Sequence, residues 1–160
     1  MKYLIAIIML SVSMLSMADS GFYGGASFNV INTDITRHSG FSVNAGYQFS
    51  NAFSIEARNM SDSTAGTHHG VKIDIGEIYG AYVTAALPIS ESLAPYVVAG
   101  WSKGEYRATY QGERVDVTDE SGSYGAGIRY KMHPNLFGRL EYMQISDDVD
   151  LISANLNLMF

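Results

Sequence analysis

Cysteine is absent from the 160-residue sequence, and proline occurs only three times. A chain without cysteine can form neither a disulfide framework nor a thiolate metal site. The scarcity of proline leaves no proline-rich linker that would divide the chain, so we expect one folded domain. Basic residues are also scarce, with 10 Lys and Arg against 16 Asp and Glu, and this acidic balance argues against a nucleic-acid partner.

The N-terminus carries a predominantly apolar run that is typical of an export signal. Lys2 precedes apolar residues from Leu4 to Leu15, and the Ser16-Met17-Ala18 stretch has small residues at the expected cleavage positions. The run is short for a transmembrane helix, and no basic stop-transfer cluster follows it. We therefore predict a signal peptide over residues 1–18 and an exported domain over residues 19–160.

The exported part alternates between apolar residues and polar or small ones. In one segment, for example, Phe41, Val43 and Ala45 alternate with Ser42 and Asn44. This period of two indicates β-strands with one apolar face, and no segment shows a helical stripe. Eight such segments occur, at residues 21–30, 41–49, 52–59, 79–87, 93–102, 123–132, 136–143 and 152–160.

The connections between these segments alternate in length, which is a second and independent signal. The short ones are residues 50–51, 88–92 and 133–135, and the longer ones are residues 31–40, 60–72, 103–121 and 146–150. Short turns at one end and long loops at the other are typical of an outer-membrane barrel. The sequence thus predicts an all-β fold, an eight-stranded antiparallel up-and-down transmembrane β-barrel, with both chain ends on the periplasmic side and the long loops extracellular.

A soluble eight-stranded barrel such as a lipocalin would also alternate, but with its apolar face turned inward. The large residues of the apolar face favour the membrane barrel, because they cluster beside the short connections as an interfacial girdle does. These residues are Phe22, Phe49, Phe53, Leu87, Tyr130 and Phe160. Trp101 lies further along its strand and is expected at the opposite rim.

Charged residues in the middle of the strands lie on the polar face. They are Glu56, Arg58, Arg129, Arg139 and Glu141. In an eight-stranded membrane barrel this face lines a lumen just wide enough for side chains to fill. Because removing one partner of a buried ion pair costs about 3–5 kcal/mol, these charges are expected to be paired. We predict a polar network that plugs the lumen, with a narrow gated pore as the alternative.

The chain ends in a strand whose last residue is Phe160. With Ser153 and Leu158, Phe160 resembles the C-terminal assembly signal of bacterial outer-membrane proteins, although Asn155 stands where that signal usually has glycine. The resemblance implies recognition by the barrel-assembly machinery. It also implies that the last strand closes the barrel, since lipid cannot satisfy free backbone groups.

The exported chain resembles the OmpA/OmpX-type superfamily of eight-stranded outer-membrane barrels, a porin-like group that includes opacity-protein-like and attachment-invasion-like members. The stretches that carry the resemblance are GFYGGASF, IYGAYVTAALPISESLAPYVVAGWS, SYGAGIRYKM, NLFGRLEYM and the terminal Phe160. The resemblance implies an integral protein of the bacterial outer membrane, in contact with its lipids and lipopolysaccharide. It further implies a structural role in the envelope and surface attachment through the extracellular loops.

The longest connection, residues 103–121, continues to alternate beyond the predicted membrane segment. Gln111-Gly112 suits a turn, so the stretch predicts a β-hairpin standing above the lipid. Such a hairpin can bind a host or surface ligand by strand addition or through its side chains, or it can be a stiff loop without a ligand. The side chains assigned to partner binding are Tyr106, Tyr110, Arg107 and Arg114.

Catalysis has little support in the sequence. Barrel enzymes that modify lipid need a serine beside a histidine, but His38 and Ser39 are adjacent on an extended chain and so face opposite sides. The other candidates lie in predicted connections and are interpreted as solvated residues rather than metal ligands: His68, His69, Asp147, Asp148 and Asp150. A lipid-modifying enzyme is kept only as a weaker alternative, and no catalytic residue, metal or cofactor is predicted.

Overall fold

The structure is a computed structural model that describes residues 20–33, 37–62, 66–68, 71–110, 113–146 and 149–160. Nine β-strands lie in these ranges: β1 (Gly21–Thr33), β2 (Arg37–Gln48), β3 (Phe53–Asp62), β4 (Gly66–His68), β5 (Val71–Ala86), β6 (Leu93–Tyr110), β7 (Glu113–His133), β8 (Leu136–Ser146) and β9 (Val149–Met159). No helix in the described ranges is long and apolar enough to cross a membrane. The predicted signal peptide, residues 1–18, lies outside the described residues.

Eight long strands form one closed antiparallel wall. Their order is β3-β2-β1-β9-β8-β7-β6-β5, and pairing of β3 with β5 completes the circle. Each long strand therefore pairs with the long strands that come before and after it in the sequence. The first and last strands, β1 and β9, pair with each other. The short strand β4 pairs only with β5, outside this circle. The predicted eight-stranded antiparallel up-and-down barrel is confirmed.

Serine side chains help to form two of the tight turns at one end of the barrel. Between β2 and β3, the backbone N–H groups of Ala52 and Phe53 donate to the Ser50 hydroxyl, at 3.3 and 3.2 Å. Between β5 and β6, the N–H group of Leu93 donates to the Ser90 hydroxyl at 3.0 Å. Such local bonds stabilise a turn because they satisfy backbone donors that no strand pairs. We call this the short-turn end.

Burial in the barrel is inverted relative to a water-soluble protein. Leu140 and Val97 are 65% and 59% exposed on the outer face, whereas Ser102 and Asn157 are 2% and 1% exposed inside. A soluble barrel would turn the apolar face inward, so this pattern excludes the lipocalin-like alternative. The exposed apolar surface is instead suited to the hydrocarbon of a membrane.

Inside the wall, tyrosine rings lie against glycines of the same or the next strand. Tyr82 packs over Gly80 and Gly100, and a Cβ atom at either glycine would collide with its ring. Tyr96 covers Gly127, its direct partner on β7, in the same way. A glycine beneath an aromatic ring lets the ring lie flat on the backbone, so the narrow lumen can hold large side chains.

The strands extend further at the other end than the alternating segments predicted. β1 continues to Thr33 and β2 begins at Arg37, inside the predicted connection 31–40. β5 begins at Val71, within the predicted connection 60–72. Apolar alternation marks only the part of a strand that faces lipid, whereas backbone pairing can continue beyond the membrane. The predicted turn Gln111-Gly112 lies outside the described residues.

Candidate functional site: the lumen and the sheet above it

Four of the five predicted charged residues meet in one hydrogen-bonded cluster across the lumen. Arg58 of β3 forms ion pairs with Glu56 of its own strand and with Glu141 of β8, and its second bond to Glu141 measures 3.0 Å. Arg139 donates to the other oxygen of Glu56 at 2.8 Å. Because β3 and β8 are not neighbours in the wall, these bonds connect opposite sides of the barrel.

Neutral side chains complete this cluster, which we call the polar network. Asn44 donates to Glu56 at 2.9 Å and to Asn157 at 2.7 Å. Tyr96 donates its hydroxyl to Glu141 at 2.8 Å. Glu56, Arg139 and Glu141 are buried, and their charges are compensated at close range, which buried ions require.

Arg129, the fifth predicted residue, lies at a separate level near the short-turn end. Its guanidinium donates to the side-chain oxygen of Gln48 at 2.9 Å and to the Asn51 carbonyl at 2.6 Å. The same group lies over the ring of Phe137, 5.9 Å from its centre. Arg129 thus ties β7 to the turn after β2, whereas the polar network ties β3 to β8.

Apolar side chains fill the lumen on the other side of the polar network, towards the end opposite the short turns. We call this set the apolar layer; it consists of Ile31, Met60, Ile78, Met143, Ile145 and Leu151, which are all buried. The sequence analysis missed it, because these residues lie outside the eight alternating segments or, for Met143, at the end of one. The signal was present: alternation breaks down at pairs of adjacent apolar residues, such as Tyr142-Met143 and Leu151-Ile152.

The three residues of the predicted assembly signal lie on β9 or directly after it, and they face two sides of the wall. Ser153 is buried in the lumen and accepts a hydrogen bond from Asn155 at 3.1 Å. Leu158 and Phe160 face outward, and Phe160 is 77% exposed. The backbone N–H of Phe160 donates to the Phe22 carbonyl at 2.9 Å, so the last residue is still joined to β1.

Beyond the barrel wall, at the end opposite the short turns, β4 and the adjoining ends of β5, β6 and β7 form a sheet that we call the upper sheet. It contains residues 66–68, 71–75, 105–110 and 113–118, paired in the order β4-β5-β6-β7. The predicted hairpin is its β6–β7 half, with Tyr110 opposite Glu113 at the tip. β4 and the β5 part of this sheet were not predicted.

The register separates the four predicted partner-binding positions into two faces. Tyr106 lies opposite Ile75 and Val117, whereas Arg107, the next residue, lies opposite Asp74 and Asp116. Successive positions on a strand alternate between faces, so the tyrosine positions and the Arg107 position belong to opposite faces.

Arg114 belongs to the same face as Arg107. Its partner position is Thr109, which is two residues from Arg107 on β6. The next row of positions on the face of Tyr106 consists of Ile73, Ala108 and Val115.

The remaining polar candidates lie partly outside the described residues. Within the part of the chain that the structure describes, no group of three or more His, Cys, Asp or Glu is arranged to hold a metal ion. His69, Asp147 and Asp148 lie outside the described residues, while Asp150 is part of β9.

A closed eight-stranded wall with an apolar outside and a filled inside defines the class of transmembrane β-barrel proteins. A family model described as "Outer membrane protein beta-barrel domain" matches residues 3–160. The chain belongs to this family. A comparison with curated protein sequences found no match.

Solved structures share the fold at low sequence identity. The N-terminal β-barrel domain of Pseudomonas aeruginosa OprF is 13% identical, with a TM-score of 0.64 over 89% of this chain and 100% of that one. Ail, the attachment invasion locus protein of Yersinia pestis, is 20% identical, with a TM-score of 0.61 over 86% and 94%. Neisserial surface protein A is 18% identical, with a TM-score of 0.59 over 88% and 97%.

Proposed function

We propose that the protein is a non-enzymatic, non-conducting barrel of the bacterial outer membrane that contributes to the integrity of the envelope. In this proposal the short-turn end faces the periplasm and the upper sheet lies outside the cell. The outer face contacts membrane lipids and lipopolysaccharide. Ser153, Leu158 and Phe160 serve the barrel-assembly machinery during insertion.

The observation that carries the proposal is the filled lumen. The polar network spans the barrel from β3 to β8, and the apolar layer fills the next level. A hydrated ion would have to displace paired charges at the first level and shed its water at the second. Both steps are costly in a region of low dielectric constant, so a pore is the weaker alternative.

Single-channel recording in planar bilayers tests the closed lumen. The refolded protein is added to the bilayer at a concentration where a conducting porin, prepared in the same detergent, gives discrete steps. We expect no steps above the record of detergent alone. Steady unitary conductance of the wild-type protein would overturn the proposal.

The non-enzymatic part of the proposal has its own test. Purified folded protein is incubated with lipid A and with phospholipid, and the products are analysed by mass spectrometry. We expect no conversion beyond that of the boiled protein. Hydrolysis that scales with the amount of folded protein would contradict it.

Surface attachment through the upper sheet is the second function that we propose. The sheet adds β-structure beyond the wall, and its β6–β7 hairpin pairs continuously from Glu105 to Tyr110. Ail, which shares the fold, was crystallised in complex with the heparin analogue sucrose octasulfate, so a barrel of this kind can present a ligand-binding surface. Binding of the purified barrel to cells is the property to be measured.

The β6–β7 register shows where the hairpin can be shortened for that assay. Replacing residues 106–117 by a two-residue turn between Glu105 and Thr118 preserves the pairing below it. We expect this protein to fold but to lose binding to cells. Two double variants, Tyr106→Ser with Tyr110→Ser and Arg107→Gln with Arg114→Gln, then assign the binding to one face. If the shortened protein binds as well as the wild type, the sheet is not the attachment surface.

A further inference from the structure

The outer face of the barrel carries an apolar groove of about 750 Å³ across β1, β2, β3 and β5. Its floor is a row of small residues that pair from strand to strand: Gly24, Ala45, Ala57 and Ala81. Larger side chains border the row towards the short-turn end: Phe22, Tyr47, Ile55, Val83 and Phe160. We call the outward side of these four strands the grooved face.

A polar side chain, Asn59 of β3, lies on the grooved face beside the floor of the groove. Asn59 is six residues beyond Phe53, the first residue of β3, which corresponds to a rise of about 15 Å on a tilted strand. Charged side chains begin higher. Lys103, which forms an ion pair with Glu120 at 3.1 Å, is ten residues beyond Leu93, the first residue of β6. That distance corresponds to a rise of about 25 Å, so Asn59 lies within the wall that faces hydrocarbon.

The Asn59 side chain forms no hydrogen bond with another residue that the structure describes. Its neighbours across the strands are Val43 of β2 and Tyr79 of β5. Val43 has no polar side-chain group, and the Tyr79 hydroxyl donates to Glu77. Lipid tails can neither donate to an amide nor accept from it. A membrane-facing asparagine is therefore stabilised by a polar partner on another molecule.

We propose that the grooved face binds a second copy of this chain in the membrane, with the two Asn59 amides hydrogen-bonded to each other. All copies insert in the same direction, so a two-fold axis perpendicular to the membrane brings equal heights of two copies together. An asparagine amide both donates and accepts, so it is complementary to itself. The small side chains beside Asn59 let the two walls approach closely enough for this contact.

The grooved face is large enough for such a contact. Three of its aromatic side chains, Phe41, Phe53 and Tyr79, are 59%, 37% and 46% exposed. Because a fully exposed aromatic side chain presents about 200 Å², these three offer about 300 Å² per copy. With the aliphatic side chains between them, two copies can cover about 1,000 Å² in total, the area at which specific interfaces begin. We therefore expect a weak and reversible dimer.

Single cysteines test which side of the barrel faces another copy, because the chain contains no cysteine of its own. Ala57→Cys places a thiol in the floor of the groove. Ala126→Cys is the matched control, since Ala126 is also an exposed outward alanine but belongs to β7, on the far side of the barrel. Outer membranes of cells that make either variant are treated with a membrane-permeant oxidant, and disulfide-linked pairs are measured on gels.

We expect Ala57→Cys to form pairs of twice the barrel mass several times faster than Ala126→Cys at equal amounts of protein. Equal rates at the two positions would overturn the proposal. So would products of Ala57→Cys that join the barrel to a different protein, because the face would then belong to another partner.

Sedimentation equilibrium in detergent micelles, at varied ratios of protein to detergent, measures the contribution of Asn59. We expect Asn59→Leu to raise the dissociation constant of the dimer about tenfold, because both reciprocal hydrogen bonds are lost. Asn59→Gln keeps the amide and should lose less. Equal losses in both variants would contradict the amide pair. A wild-type barrel that remains monomeric, with a lipid retained in native mass spectrometry, would assign the groove to lipid and overturn the proposal.

A second pair of variants locates the contact in the groove. Ala45→Leu fills the floor of the groove and should weaken the dimer severalfold. Ala126→Leu adds the same side chain to an outward alanine of β7, which is four strands from β2 in either direction around the wall. It should leave the dissociation constant unchanged. Neither position faces the lumen, so urea unfolding should be similar for both. An equal effect of the two substitutions on dimerisation would contradict this location of the interface.

Discussion

At the scale of single residues, Glu141 is the carboxylate that joins the two halves of the lumen. It accepts hydrogen bonds from Arg58 of β3 and from Tyr96 of β6, while it belongs to β8. Its side chain is completely buried, so water cannot replace either partner. Removing its charge leaves the Arg58 guanidinium with only Glu56 as a counter-ion.

Glu141→Gln should therefore destabilise the barrel strongly. We expect a loss of about 3–5 kcal/mol in the free energy of unfolding, because one partner of a buried ion pair is neutralised. Equilibrium unfolding by urea in detergent micelles measures it. Glu91→Gln, in the exposed turn between β5 and β6, is the control and should change stability by less than about 0.5 kcal/mol. Equal stabilities of the two variants would show that the ion pair contributes nothing.

Gly80→Ala tests the packing of Tyr82 against the wall. The atoms nearest to a Cβ at Gly80 all belong to the Tyr82 ring and its hydroxyl, whereas a Cβ atom at Gly122 would meet nothing within 4 Å. We expect Gly80→Ala to cost about 1–3 kcal/mol by overpacking and Gly122→Ala to be neutral or slightly stabilising. The comparison is made by thermal or urea unfolding. If Tyr82→Leu does not restore part of the loss in the Gly80→Ala background, the collision is not the cause.

At the scale of strands, β9 pairs with β8 along one edge and with β1 along the other. The residue that follows it, Phe160, has little packing around its side chain. Phe160 is 77% exposed on the outer face, and Phe22 of β1 is 69% exposed beside it. Both rings would contribute similarly to contact with lipid. Only Phe160 stands at the end of the chain, where the assembly signal is proposed to be read.

Phe160→Ser should thus reduce insertion in cells more than it reduces stability. We expect several times less protein in the outer membrane, whereas the purified variant refolded in detergent unfolds at nearly the same urea concentration as the wild type. Quantitative blotting of membrane fractions provides the measurement. Phe22→Ser is the matched control. A similar loss of insertion for both variants would point to lost lipid contact and not to a terminal signal.

The sequence predicted all eight long strands, because strict alternation over about ten residues is rare outside β-structure. It failed where a strand leaves the membrane or where both faces are apolar. At Tyr142-Met143, for instance, one side chain faces outward and the next fills the lumen, so alternation vanishes although the strand continues. The strand β4 has three residues and no apolar pattern, and only its pairing with β5 reveals it.

At the scale of the whole molecule, the wall is held by a continuous circle of backbone hydrogen bonds. Opening it exposes two strand edges that neither lipid nor detergent can satisfy, so the closed form should resist unfolding at room temperature in mild detergent. Gel electrophoresis detects this resistance to unfolding as a difference in mobility.

Residues 19–160, refolded into detergent, should accordingly migrate differently before and after boiling. We expect the unboiled protein to run as a compact band and the boiled protein to run as an unfolded chain that is lighter than the 17.5 kDa of the full sequence by the mass of residues 1–18. The control is the same protein kept in urea, which should show a single position. Absence of a shift, in a protein that stays in solution without detergent, would contradict the membrane barrel.

The sequence predicted which charged residues face the lumen, but not which of them bind each other. Alternation places Arg58 and Glu141 on the polar face. That they bind each other depends on the closure of the wall, which brings β3 and β8 to opposite sides of a narrow space. The separate role of Arg129 likewise depends on the position of the turn after β2, which supplies its carbonyl partner.

The pairing of β1 with β9 also has a consequence for timing. Tyr23 pairs with Met159, so the two strands are separated by nearly the whole chain. β1 can therefore pair with β9 only after almost all of the chain has been made. Contacts between such distant residues form slowly, because a long loop must be closed before the contact is gained. Until then the chain carries two open strand edges, which invite aggregation. A cell that makes this protein must keep it from collapsing during transit and let it close only when β9 is present.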